Sequence, residues 1–142
     1  GLSWLTILKR REHYRRAFAE FQVDSVAEFS CADVARLMED KGIVRNRLKI
    51  ESAISNARHY QAIQAEYGSF SDYIWGFIDN TPIISQWSSQ DKVPATTIVS
   101  DRISREMKKR GFRFFGSTIC YAFMQAMGLV NDHQKDCFKH KR

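Results

Sequence analysis

Apolar residues recur three and four positions apart along nearly the whole chain, which is the period of an amphipathic helix. From Trp4 to Phe18, the residues Leu5, Leu8, Tyr14 and Phe18 form one apolar face opposite a run of Arg and Lys, in one helix or two. Ser30 followed by Asp33 reads as an N-cap opening a short helix through Val34, Leu37 and Met38 that stops near Gly42. The longest stripe runs from Asn46 to Tyr67 through Ile50, Ile54, Ala57, Tyr60 and Ile63, with Gly68 as its end. An aromatic helix is expected over 71–78. Both prolines, Pro82 and Pro94, fall in a Ser- and Thr-rich loop over 80–99, where Ile83, Ile84, Trp87, Val93 and Ile98 are too apolar to stay solvated. Ser100 is expected to cap a basic helix from Asp101 to Arg110, and Ile119, Phe123, Ala126 and Met127 mark a final apolar helix. Strands have little support. The pattern predicts an all-α, single-domain helical bundle over 1–142, with residues 101–127 forming a helix-hairpin-helix element.

At 142 residues and 44% hydrophobic content, the chain has enough apolar material for one core. No window reaches the roughly 18 uninterrupted apolar residues of a membrane span, and the start lacks the order of a secretory signal. Cys31, Cys120 and Cys137 are odd in number and widely spaced, which fits a reducing compartment. These features lead to the expectation of a soluble, cytoplasmic monomer. The chain opens on Gly1, and helical spacing begins at Leu2, so it reads as a domain truncated at its N-terminus.

Charge adds a candidate partner. Lys and Arg number 22 against 16 Asp and Glu, a net charge of +6, and the excess is clustered at Lys9–Arg16, Lys41–Lys49, Lys108–Arg113 and the C-terminal tail. Such clusters suit a polyanion, because neutralised phosphates release counterions. The third cluster flanks a turn in which Gly111 and Gly116 bracket Phe112 to Phe115. Glycines let a backbone approach another surface closely, and the unpaired first amides of a helix starting at Ser117 or Thr118 can hold a phosphate. Lys108, Lys109, Arg110 and Arg113 add charge nearby. The same glycines also fit a C-cap and a tight turn joining two helices of an ordinary bundle. Phe112, Phe114 and Phe115 read as core side chains rather than base-stacking ones.

The blocks GLSW, GIVRNRLKIESAISNARHY and KKRGFRFFGSTICYAFMQAMGLVNDH, with a final His to Cys spacing, together resemble the bacterial DNA-3-methyladenine glycosylase I family of helix-hairpin-helix glycosylases. The resemblance implies hydrolysis of the N-glycosidic bond of 3-methyladenine in double-stranded DNA, leaving an abasic site. Methylation makes the base cationic and a good leaving group, so such an enzyme mainly needs to extrude the nucleotide and hold the purine against aromatic rings. Trp4 matches the stacking tryptophan, and Gly1 and Leu2 match the loop that approaches the vacated gap, with Leu2 as an apolar wedge. Lys109, Arg110, Gly111, Arg113, Gly116, Ser117 and Thr118 are the expected DNA contacts. The family's base-contacting glutamate and tyrosine lie upstream of GLSW, outside this sequence.

Asp132 stands roughly where related glycosylases carry a catalytic aspartate, although closer to Gly116; a helix-cap or turn role is the alternative. His133 and Cys137, four apart, suit two zinc ligands, and the resemblance implies a structural zinc completed by a Cys and a His from further upstream. Neither Cys31 nor His59 has a pattern behind it as a substitute. Cys120 reads as a core thiol. Competing readings are a non-catalytic helix-hairpin-helix DNA-binding module and a bundle acting through protein partners.

Overall fold

A computed structural model describes residues 2–140. Its helices are α1 (Trp4–Leu8), α2 (Arg11–Ala17), α3 (Val23–Ala27), α4 (Cys31–Glu39), α5 (Arg47–Tyr67), α6 (Phe70–Trp75), α7 (Ile98–Lys109) and α8 (Ser117–Met127). The fold is all-α but for two strands of two residues each, β1 (Ile83–Ile84) and β2 (Val130–Asn131), paired in parallel. The described residues fall into two compact units, 2–62 with 111–114, and 63–110 with 115–140. The division falls inside α5, a helix of 21 residues.

The first unit is built on Ala17, Phe18, Val34, Leu37, Ile50 and Ile54, all buried. The Trp4–Phe18 stretch is two helices, because the chain breaks at Arg10, whose guanidinium donates to the carbonyls of Lys41 and Ile43 at 2.9 and 3.1 Å. That break corrects one expectation: Phe18 is core and Tyr14 packs against it, whereas Leu5 and Leu8 are exposed and α1 buries no residue. Ser30 and Asp33 form the expected reciprocal capping box of α4. Ile50, Ile54 and Ala57 of α5 are buried here, and Arg58 Nε donates to Ala27 O at 2.8 Å, closing the end of α3.

In the second unit α7 and α8 pack together, and Ile103, Met107, Cys120, Met124 and Leu129 are fully buried. The cap of α7 is Thr97, not Ser100. Thr97 Oγ1 accepts from the Ser100 amide at 3.2 Å, while Ser100 Oγ accepts from the Thr97 amide at 2.8 Å. Starting three residues earlier leaves Ile98 on the first turn, 88% exposed. The apolar face of α8 is also rotated from the expected one: Cys120, Tyr121 and Met124 are buried, while Ile119 and Met127 face solvent. Within the 80–99 loop, Ile83 is tied to Leu129 by its amide at 3.0 Å, which keeps that apolar stretch folded onto the end of α8.

Candidate nucleic-acid interface

Glycine 116 is the N-cap of α8, and no side chain caps the helix there. Its backbone is extended, φ −76° and ψ 166°, so any residue can adopt it, and an added Cβ would meet nothing within 4 Å. The glycine is therefore not demanded by its own conformation or by a close neighbour of its absent side chain. Thr118 is exposed on that turn. The Ser117 hydroxyl is turned inward, donating to Asp101 Oδ1 at 2.5 Å and bonding Ser100 Oγ at 2.8 Å, so Ser117 offers a ligand its amide only. The uncapped amides and the positive end of the helix dipole suit an anion.

Along the end of α7 the basic residues divide. Lys108 and Lys109 are exposed, Lys109 with its ammonium 2.7 Å from Glu106. Arg110 is engaged within the fold: its guanidinium donates to both oxygens of Glu66 at 2.6 and 3.0 Å and to the Tyr67 hydroxyl at 2.8 Å, and it lies 5.0 and 4.8 Å over the rings of Tyr67 and Tyr73. The Glu66 hydrogen bonds hold the Arg110 pKa above its ordinary value and lower that of Glu66 in turn. The Arg110 guanidinium, expected from sequence as a DNA contact, is thus already engaged with Glu66 and two tyrosine rings.

The first unit holds residues 111–114. Gly111 has φ +93°, and a Cβ there would fall 2.5 Å from His59 Nε2, so this glycine is required both by conformation and by close approach. Phe112 is buried with its ring 5.8 Å from that of His59, as expected of a core side chain. Phe114 departs from expectation: it is 52% exposed and has φ +56°, and Lys49 Nζ lies 6.0 Å from its ring centre. Arg113 is exposed, while its backbone is held at both ends by Asn56. Sequence reading overlooked Asn56, took Lys49 only as part of a basic cluster and weighed His59 only as a zinc ligand; the available signal was that all three are polar and recur on one face of a long helix.

Leu2 and Trp4 are exposed, Trp4 to 77%. Gly1 lies outside the described residues. Within the first unit an apolar cavity of about 400 Å³ is lined by Tyr14, Phe18, Phe21, Tyr60 and Phe112 among others, with Lys49 and Asn56 as its polar members.

Asp132 sits in the second unit and is a hydrogen-bond hub. Its Oδ1 accepts from the Trp87 indole at 2.7 Å, and its Oδ2 from Tyr121 OH at 2.5 Å and Gln125 Nε2 at 2.8 Å. Partial burial pushes its carboxyl upward, but hydrogen bonds from Ser85, Tyr121, Trp87 and Gln125 outweigh this and hold it below its ordinary value. Through these bonds Asp132 ties Trp87 of the loop to Tyr121 and Gln125 of α8. Beyond it, Cys137 Sγ lies 3.7 Å from His133 Nδ1. Among the described residues, no group of three or more His, Cys, Asp and Glu is placed to hold a metal.

Two packed helices joined by a glycine-bracketed turn, with an uncapped helix start that follows exposed lysines in sequence, define the helix-hairpin-helix class of nucleic-acid-binding fold. The family model of methyladenine glycosylase matches residues 1–140. DNA-3-methyladenine glycosylase 1 of Escherichia coli (strain K12) is 47% identical over 137 residues, which are 96% of this chain and 73% of that protein. A crystal structure of 3-methyladenine DNA glycosylase I superposes with a TM-score of 0.90 at 50% identity, covering 97% of this chain and 76% of that one. A variant of 3-methyladenine DNA glycosylase I in complex with 3-methyladenine superposes with a TM-score of 0.94 at 35% identity, covering 100% of this chain and 76% of that one. The chain belongs to the methyladenine glycosylase family.

Proposed function

We propose that this chain is a DNA-3-methyladenine glycosylase that holds double-stranded DNA with residues of the 109–118 segment and releases the methylated base by hydrolysis. The observation that carries the reading is the first turn of α8 behind Gly116, which no side chain caps and which is close in sequence to Lys108 and Lys109. In the reaction the bond from the sugar C1′ to the base breaks, the electron pair leaves with the base and neutralises its methylation charge, and water adds to C1′ with loss of a proton. The leaving group is already activated, so extrusion and stacking of the base are the main tasks. The exposed indole of Trp4 offers a π face for the cationic purine and Leu2 an apolar wedge for the gap.

His133 and Cys137 would supply two ligands to a structural zinc. Cys137 Sγ lies 3.7 Å from His133 Nδ1, and a thiolate and an imidazole are both donors that zinc takes. The ion would brace the C-terminal turn and take no part in the chemistry. A monomer working on cytoplasmic DNA fits the same reading; no helix among the described residues is long and apolar enough to cross a membrane.

The test is release of free 3-methyladenine from alkylated duplex by the full-length protein. Release supports the enzyme reading. Salt-dependent duplex binding by folded protein without base release would replace it with the binding-module reading.

A further inference from the structure

Three side chains on one face of α5, Lys49, Asn56 and His59, meet the hairpin residues in reverse order. Lys49 lies over Phe114, Asn56 against Arg113, and His59 against Phe112 and Gly111. The central contact is bidentate: Asn56 Oδ1 accepts from the Arg113 amide at 2.9 Å, and Asn56 Nδ2 donates to the Arg113 carbonyl at 2.9 Å. Arg113 has one donor and one acceptor on its main chain, so these two bonds also fix which way the Asn56 amide faces. A carboxamide is the side-chain counterpart of a peptide group and pairs with both. Ser, Thr or Asp in the same place would satisfy one of the two.

The geometry points to Asn56 as a positioning residue for DNA binding: by holding both main-chain groups of Arg113, it fixes the hairpin so that the Arg113 guanidinium is presented outward to a DNA phosphate. Lys49 and His59 support the same segment, Lys49 beside the exposed Phe114 and His59 as the surface on which Gly111 rests. The alternative, that the hairpin holds its own shape, fits less well. Within four residues it has two positive-φ positions, Gly111 and Phe114, and a non-glycine residue there is strained and persists only where its surroundings impose it. The inference rests on Arg113 being a DNA contact, and the test separates the two.

Duplex affinity at fixed salt is measured for the full-length protein and for Asn56→Ala, Arg113→Ala and the double variant, with thermal unfolding of each. Asn56→Ala is expected to weaken binding about tenfold, as for loss of two main-chain hydrogen bonds that order a contact. KM for alkylated duplex should rise by the same factor while kcat holds. The double variant should bind about as well as Arg113→Ala alone, since Asn56 acts through Arg113. Asn56→Asp fits the same space and keeps the acceptor but loses the donor. Its affinity relative to the unsubstituted protein should recover as pH falls and its carboxyl takes up a proton that can be donated to the Arg113 carbonyl. Full additivity in the double variant, or folded Asn56 variants that bind normally beside a weakened Arg113→Ala, overturns the role of Asn56. Normal binding by Arg113→Ala overturns the DNA contact on which it rests.

Discussion

His59 Nε2 lies 2.5 Å from where a Cβ on Gly111 would stand, so the imidazole occupies the space that only a glycine leaves. Gly116, five residues on, has nothing within 4 Å of its own absent Cβ. The two glycines that bracket the hairpin therefore answer to different demands. Gly111→Ala should destabilise the protein by at least about 1–2 kcal/mol, from the positive φ alone, with the His59 collision added. Gly116→Leu should change folding stability by no more than about 1 kcal/mol, the scale of an N-cap substitution, yet weaken duplex binding. Urea unfolding and duplex titration of both variants check the contrast.

Basic residues at the end of α7 should separate in the same way. Arg110→Ala removes the tie to Glu66, Tyr67 and Tyr73 and is expected to lower the thermal midpoint, with the salt dependence of DNA binding unchanged. Lys108→Ala should leave the midpoint alone and reduce the slope of log affinity against log salt by about one unit, as for loss of one phosphate contact. Equal slopes for Lys108→Ala and the unsubstituted protein would remove Lys108 from the interface.

Asp132→Asn should destabilise the second unit at neutral pH, because an amide nitrogen would face donors from Trp87, Tyr121 or Gln125. The carboxyl is held below its ordinary value in the fold, so the unfolded chain takes up the proton first. Its contribution is complete above about pH 4, the ordinary Asp range, and is lost as pH falls through the lower folded value. The stability gap between the two proteins should therefore narrow in acid. If Asp132→Asn stays folded but base release falls by several orders of magnitude, the structural assignment fails and Asp132 returns as a catalytic group.

Among the cysteines, Cys120 is fully buried, and burial, with the Asp101 carboxylate, pushes its thiol up to about 11. A thiol in that state is a poor nucleophile. Cys31 is exposed. Near neutral pH a thiol reagent should label Cys31 in the native protein and reach Cys120 only after unfolding, as peptide mapping by mass spectrometry would show.

Much of the fold is legible in the sequence where local rules decide. The Ser30 and Asp33 box, the long α5 with its Ile50, Ile54 and Ala57 stripe, and the hairpin before α8 all follow from spacing and capping. Legibility ends where two signals compete. Thr97 and Ser100 are both good caps, and they bond reciprocally, so the helix starts at the earlier of the two. In α8 nearly every residue is apolar, which leaves periodicity unable to choose between the Ile119 face and the Cys120 face.

For the site, the sequence alone determined the chemistry: clustered cations, two glycines around a turn, a helix start behind the second, and a family pattern across the chain. Those are properties of adjacent residues, and adjacency is what a sequence records. Tertiary structure decided which of these residues are available. It paired Arg110 with Glu66, engaged Asp132 with Trp87 and Tyr121, and brought Asn56 to the main chain of Arg113 across 57 positions of sequence. The reason is physical: whether a charged or polar side chain faces a ligand depends on which partners are within hydrogen-bonding distance, and only the folded chain sets that distance.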